Sequence, residues 1–314
     1  MQVTIRPLAK ADLAEADRIF RLAFGTFVSL PDPMSFAGTA DYVRSRWLAD
    51  PSAAFGAYNG DDLVGSSFSA NWGSFGVFGP VTVRPDFWDK GVAKRLLDAA
   101  MALFDEWRVR QAALLTFPQS PKHIALYQKF GFWPQFLTAI MSKAVDPPGD
   151  AGTWSRYSRL SPEEQRHCLK QCADLTGAIL PGLNVEREVR IIEDQAIGET
   201  VLLRHGETLA GFATCHVGKG SEAESLATTY VKFAAVRPGS DAPDQFGRLL
   251  VACEALAAEK GSTSLVAGVN TARYPAYRAM VERGFRTLFN GVAMQRPNEA
   301  GFNRPDCFVI DDWR

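Results

Sequence analysis

The chain repeats itself at the scale of a whole domain. Val83-Arg84-Pro85 returns as Val236-Arg237-Pro238, Arg95-Leu96-Leu97 as Arg248-Leu249-Leu250, and Leu126-Tyr127 with Gly131-Phe132 as Ala276-Tyr277 with Gly284-Phe285. The offset stays at about 150 residues, well beyond the ~20 to 50 of a solenoid repeat. Each copy must therefore bury a core of its own, and 314 residues leave room for two domains of ordinary size.

The same element order can be read in both copies. Ala57 to Phe68 and Leu203 to Thr214 are each two apolar runs joined by a glycine turn, the pattern of a β-hairpin. In the first copy the periodicity predicts strand 2–7, helix 11–24, a proline-containing loop, helix 39–49, and strands near 53–58, 63–70 and 75–84. Helix 90–108, strand 111–117, helix 122–130 and strand 133–143 follow. Asp146-Pro147-Pro148-Gly149-Asp150-Ala151-Gly152 has linker composition and sets the expected boundary, giving domains 1–146 and 153–314. The tail Phe308 to Arg314 is expected to add an edge strand or to fold back over the other domain.

One run carries most of the chemistry. Val81-Thr82-Val83-Arg84-Pro85 reads as a β-branched strand with a proline stop, and Asp86-Phe87-Trp88-Asp89-Lys90-Gly91 as a loop. Val92-Ala93-Lys94 then opens a helix with Ala93, Leu96, Leu97, Ala100 and Phe104 on one face. Such a helix start is an anion site. Its first amides lack intrahelical partners, the helix dipole adds partial positive charge, and Gly91 lets a phosphate reach the main chain without meeting a Cβ. No Gly-Lys-Ser/Thr follows, and the spacing is not that of the three-glycine dinucleotide loop.

This run resembles motif A of the GCN5-related N-acetyltransferases, with Gly91 and Ala93 in place and Trp88 where glutamine or arginine is usual. His123 to Phe132 resembles their motif B, with Ser120 where asparagine is usual. The resemblance implies an α/β fold with a mixed sheet, present as two tandem GNAT folds packed as a pseudo-dimer. It also implies acetyl-CoA as co-substrate and a small-molecule primary amine, or a peptide amine, as acceptor. Val81 and Val83 would pair with the pantetheine arm, while Trp88, Asp89, Lys90, Gly91, Val92, Ala93, Lys94 and Ser120 would hold the cofactor. Tyr127 would be the general acid, since a phenol with a pKa near 10 keeps its proton at neutral pH. A non-catalytic sensor that binds acyl-CoA or an amine on the same fold is the alternative reading.

The second copy departs at the phosphate loop. Asp241-Ala242-Pro243-Asp244-Gln245-Phe246 lies opposite Trp88 to Ala93, so an aspartate replaces the glycine, and Pro243 removes a donor. Chemistry is therefore expected in the first copy, with Asn270 and Tyr277 as inherited structure and a split site using Tyr277 as the alternative. No carboxylate stands between Phe78 and Val83, leaving Asp32 or a water chain as expected proton acceptor. Trp72, Phe75, Phe78, Trp88 and Phe117 are expected near the acceptor cleft or the cofactor loop, or else in the core.

Composition closes off other classes. A formal charge of −1 argues against a nucleic-acid partner, and no long uncharged apolar run is present to span a bilayer. Cys168, Cys172, Cys215, Cys253 and Cys307 form no Cys-x-x-Cys pair, so buried thiols are expected at Cys168 and Cys172 rather than a metal site, and likewise at Cys215 beside His216. Strand-like sequence from Gln2 leaves no expected signal peptide, which gives a cytoplasmic expectation. The assembly is expected to be a monomer with its internal pseudo-dimer, or a homodimer.

Overall fold

The computed structural model describes residues 3–145 and 153–314. The linker expected at Asp146 to Gly152 lies outside the described residues. The first half contains β1 (Val3–Pro7), α1 (Leu13–Phe27), α2 (Tyr42–Ala49), β2 (Ala54–Asn59), β3 (Asp62–Trp72) and β4 (Phe75–Val83). It continues with α3 (Val92–Trp107), β5 (Gln111–Thr116), α4 (Pro121–Gln128) and β6 (Trp133–Ala144). The second half repeats the order as β7 (Trp154–Arg156), α5 (Pro162–Ile179), α6 (Glu186–Gln195), β8 (Gly198–His205), β9 (Thr208–Val217), β10 (Thr228–Val236), α7 (Ala242–Glu259), β11 (Ser264–Asn270), α8 (Tyr274–Glu282) and β12 (Arg286–Arg296). A short β13 (Val309–Ile310) follows.

Local chemistry accounts for the elements. The β2–β3 and β8–β9 hairpins turn on Gly60 and Gly206, whose φ values of 65° and 59° a side chain would strain. Helix α5 starts on a capping box, with the Ser161 side chain accepting from the Glu164 N–H and the Glu164 carboxylate accepting from the Ser161 N–H. Val92, Leu96, Leu97, Ala100 and Phe104 recur at helical spacing on α3 and are the face it buries.

The two halves share one mixed sheet, in the order β1-β2-β3-β4-β5-β12-β6-β11-β10-β9-β8-β7. Its last strands are exchanged. β12 of the second half pairs antiparallel with β5 of the first, β6 of the first half pairs antiparallel with β11 of the second, and β6 and β12 pair with each other. The tandem halves thus form a pseudo-dimer in which each completes the other's sheet, an exchange that the repeat pattern did not disclose.

Packing reinforces the exchange. One buried cluster joins Trp72, Phe75 and Val77 of the first half to Leu175, Phe212 and Phe233 of the second. Burial of each large apolar side chain contributes about 1.5–3 kcal/mol. Several together rival the ~5–15 kcal/mol by which a domain is stable, so the halves act as one unit. Among the described residues no helix is long and apolar enough to cross a membrane.

Candidate functional site

Strands β4 and β5 run parallel and pair only from Phe75 to Val77 against Gln111 to Ala113. The strands then part. The β3–β4 register shifts between Ser67 and Ser69, and the irregular stretch of β4 holds Gly79 and Pro80, which lacks an N–H. Further on, the Arg84 N–H donates to the Val64 carbonyl of β3. Alternation then turns the main-chain groups of Val83 and Val81 away from β3, toward the side that β5 has left. The slot is therefore lined by an unpaired strand edge. One group on it is already engaged, because Trp88 Nε1 donates to the Val83 carbonyl at 2.7 Å.

At the end of this slot α3 begins. Gly91 is its N-cap, at φ 76° and ψ 8°, and no side chain caps the helix. The first intrahelical bond runs from the Arg95 N–H to the Gly91 carbonyl, so the amides of Val92, Ala93 and Lys94 precede the ladder. Val92 is buried and fixes the helix start, while Asp89, Lys90, Gly91 and Lys94 are exposed. Asp89 pairs with Lys122, and Lys90 Nζ donates to the Asp86 carbonyl at 2.7 Å.

Tyr127 lies on α4 with its ring 5.9 Å from that of Phe78 on β4. Burial pushes its phenol up to about 12 against a hydrogen bond from Thr116 that works the other way, so it stays protonated. The core and acid readings of this residue are compatible, since the ring packs while the hydroxyl holds a proton. Ser120 is buried and caps α4, its Oγ accepting from the His123 N–H at 3.3 Å. Asp32 is exposed and caps a short 3-10 turn by accepting from the Met34 N–H. Phe75 and Phe78 are core residues, and Phe117 packs on Phe27 with ring centroids 5.0 Å apart.

The equivalent slot of the second half is filled. β10 and β11 pair from Thr228 to Val231 and then part, and β13 enters beside β10 with Ala234 opposite Ile310 and Ala235 opposite Val309. The tail thus becomes an added strand in the gap. Asp241 heads α7, with Pro243 and Asp244 in its first turn. Asn270 Nδ2 donates to the Phe136 carbonyl and to Thr138 Oγ1 of the exchanged β6, a structural role. Cys168 and Cys172 are buried in the shared core, and Cys215 of β9 meets Cys253 of α7.

A cavity of about 60 Å³ opens between the halves, walled by Ser69, Trp72 and Gly79 of the first and by His216, Lys232 and Trp313 of the second. At its side Glu222 receives two hydrogen bonds from Arg46, at 2.8 and 2.9 Å, and one from Lys232 at 2.6 Å. Burial raises the Glu222 carboxyl pKa, but these two cations outweigh it and hold the group well below the usual range. His216 is buried, accepts the Glu222 N–H at Nδ1 and is pushed down to about 4 by desolvation, so the ring is neutral. Sequence reasoning passed over Arg46, Glu222, Lys232 and Trp313, which belong to no motif. Lys232, set inside the apolar run Tyr230 to Val236, was the one available signal.

Residues 16–132 match the model of the Acetyltransferase (GNAT) family. No curated protein matches the chain significantly. Among solved structures, a Pyrococcus horikoshii protein provisionally described as an acetyltransferase superposes with a TM-score of 0.70 at 13% identity, over 99% of this chain and 95% of its own. A GCN5-related N-acetyltransferase from Sphaerobacter thermophilus gives 0.60 at 15% identity, over 94% and 95%. A tandem GNAT protein from the clavulanic acid biosynthesis pathway gives 0.55 at 15%, over 94% and 98%.

Proposed function

We propose that this tandem GNAT protein is an N-acetyltransferase that moves the acetyl group of acetyl-CoA onto a primary amine of a small molecule, with its chemistry in the first half. The observation that carries this reading is the asymmetry of the two slots. The first is open and ends at an uncapped, glycine-led helix start, whereas β13 fills the second, whose helix start carries Asp241, Pro243 and Asp244. Val81 and Val83 offer an edge to a pantetheine arm, and the amides from Asp89 to Lys94 offer donors to a pyrophosphate.

In this reading the amine nitrogen attacks the thioester carbonyl carbon and the carbon–sulfur bond breaks. The departing sulfur takes the Tyr127 proton, and the nitrogen releases its extra proton to water. Holding amine and thioester together supplies the larger part of the acceleration. A cytoplasmic site of action belongs to the same proposal. A binding-only role is the second reading, favoured by the hold of Trp88 on the Val83 carbonyl and by Ser120 capping α4.

Calorimetric titration with acetyl-CoA tests the proposal. One site per chain is expected, weakened about tenfold or more by Gly91→Asp, since a carboxylate ~4 Å from a phosphate costs about 1–4 kcal/mol. A Cβ at Gly91 meets open space and aspartate tolerates left-handed φ, so the variant keeps its fold. No binding by the parent chain refutes the reading. Binding without thiol release across a panel of amines supports the sensor.

A further inference from the structure

The cavity between the halves is lined by three buried polar atoms that have no hydrogen-bond partner: Ser69 Oγ, His216 Nε2 and Trp313 Nε1. All three can donate. The indole N–H has no other capacity, and because His216 Nδ1 accepts the Glu222 N–H, the proton of the neutral imidazole sits on Nε2. Leaving three such groups dry and unmatched is costly, and native interiors rarely do so.

Two further observations point the same way. Glu222 lies between Arg46 and Lys232, and both cations also donate to the Arg314 oxygen, so this side of the cavity already gathers oxygen acceptors around two cations. Trp313 reaches the cavity from the tail that threads the second slot, at a φ of 54° that is strained for a bulky residue. Its ring is held there against Phe75 and Phe302, at 5.5 and 5.8 Å.

We infer that this cavity seats the carboxylate of the acceptor, which is therefore an amino acid or another amine carrying an acid group. About 60 Å³ fits a carboxylate and little more, and Gly79 on the cavity wall belongs to the stretch of β4 that borders the open slot. The rest of the ligand then extends toward the place where the thioester would lie. The inference rests on the acetyltransferase reading of the first half. It gives the second half a task, since His216, Lys232 and Trp313 complete a site that the first half lacks on its own.

The test titrates the full chain with ω-amino acids from glycine to 6-aminohexanoate, and with the matching amides and alkylamines, following tryptophan fluorescence. At least one acid is expected to bind about tenfold or more tighter than its amide and amine counterparts. Trp313→Phe and Ser69→Ala, which preserve packing, are each expected to weaken it about tenfold, because donors to a charged group are worth more than neutral ones. Equal binding of the amide or the amine overturns the inference, as does acid binding that both variants leave unchanged. If acetyl-CoA binds and no acid does, the cavity holds only water and the inference alone fails. If acids bind and acetyl-CoA does not, the acetyltransferase reading fails and the carboxylate seat stands.

Discussion

Arg273 donates to the Val309 carbonyl oxygen at 2.9 Å, from a guanidinium only 1% exposed, and so pins β13 in the gap beside β10. The same group donates to Asp311 at 2.6 Å. One buried cation thus fixes the strand that closes the second slot and the turn that delivers Trp313 to the cavity.

Removing that cation leaves a buried carboxylate alone. Arg273→Met is expected to lower stability in urea by about 3–5 kcal/mol, and Arg273→Met with Asp311→Leu to recover most of the loss, since apolar replacement of a whole buried pair is often neutral. A double variant as unstable as the single one would show that Arg273 acts through packing instead.

Residues 1–146 expressed alone keep β6 but lose β12, its partner in the central pairing, and expose Trp72, Phe75 and Val77. The fragment is expected to be aggregated or unfolded, and co-expression with residues 153–314 to restore a soluble complex. Size-exclusion chromatography with circular dichroism reads both. A soluble, folded and active fragment refutes the shared-unit view.

Tyr127→Phe keeps the ring against Phe78 and removes only the hydroxyl. The expected result is a kcat about 10²-fold lower or more, with the affinity for acetyl-CoA unchanged, as fits a general acid. Full turnover in steady-state kinetics would return Tyr127 to a packing role.

Acid is expected to destabilise the protein in two stages. His216 is held at about 4 in the fold against 6.5 when unfolded, so as pH falls from 6.5 to 4 the unfolded chain takes up a proton that the folded chain does not. That lowers stability by about 3 kcal/mol, at 1.36 kcal/mol per unit. Glu222, depressed by Arg46 and Lys232, contributes stability above its ordinary value of 4.5 that is lost as pH drops below it. Urea unfolding across pH 4 to 7 checks the first stage, where His216→Gln should flatten the slope.

Much was legible without coordinates. The duplication, the element order and the hairpin turns follow from spacing, and Gly91 announces its helix start because glycine takes the left-handed φ of that corner most readily. Such features depend on residues close together in the chain, where period and φ preference act directly. The exchange of β6 and β12 was not legible, because the two copies offer similar edges and only the packing of the whole decides which one each strand joins.

The cavity shows the same division more sharply. By itself the sequence determined two copies of one fold, with a glycine-led helix start in the first and an acid-laden one in the second. Only the tertiary structure brought Arg46 to Glu222 and placed His216 and Trp313 beside Ser69. The physical reason is that burial and charge pairing between residues more than a hundred positions apart depend on how the two halves close on each other, and no local pattern in the chain encodes that closure.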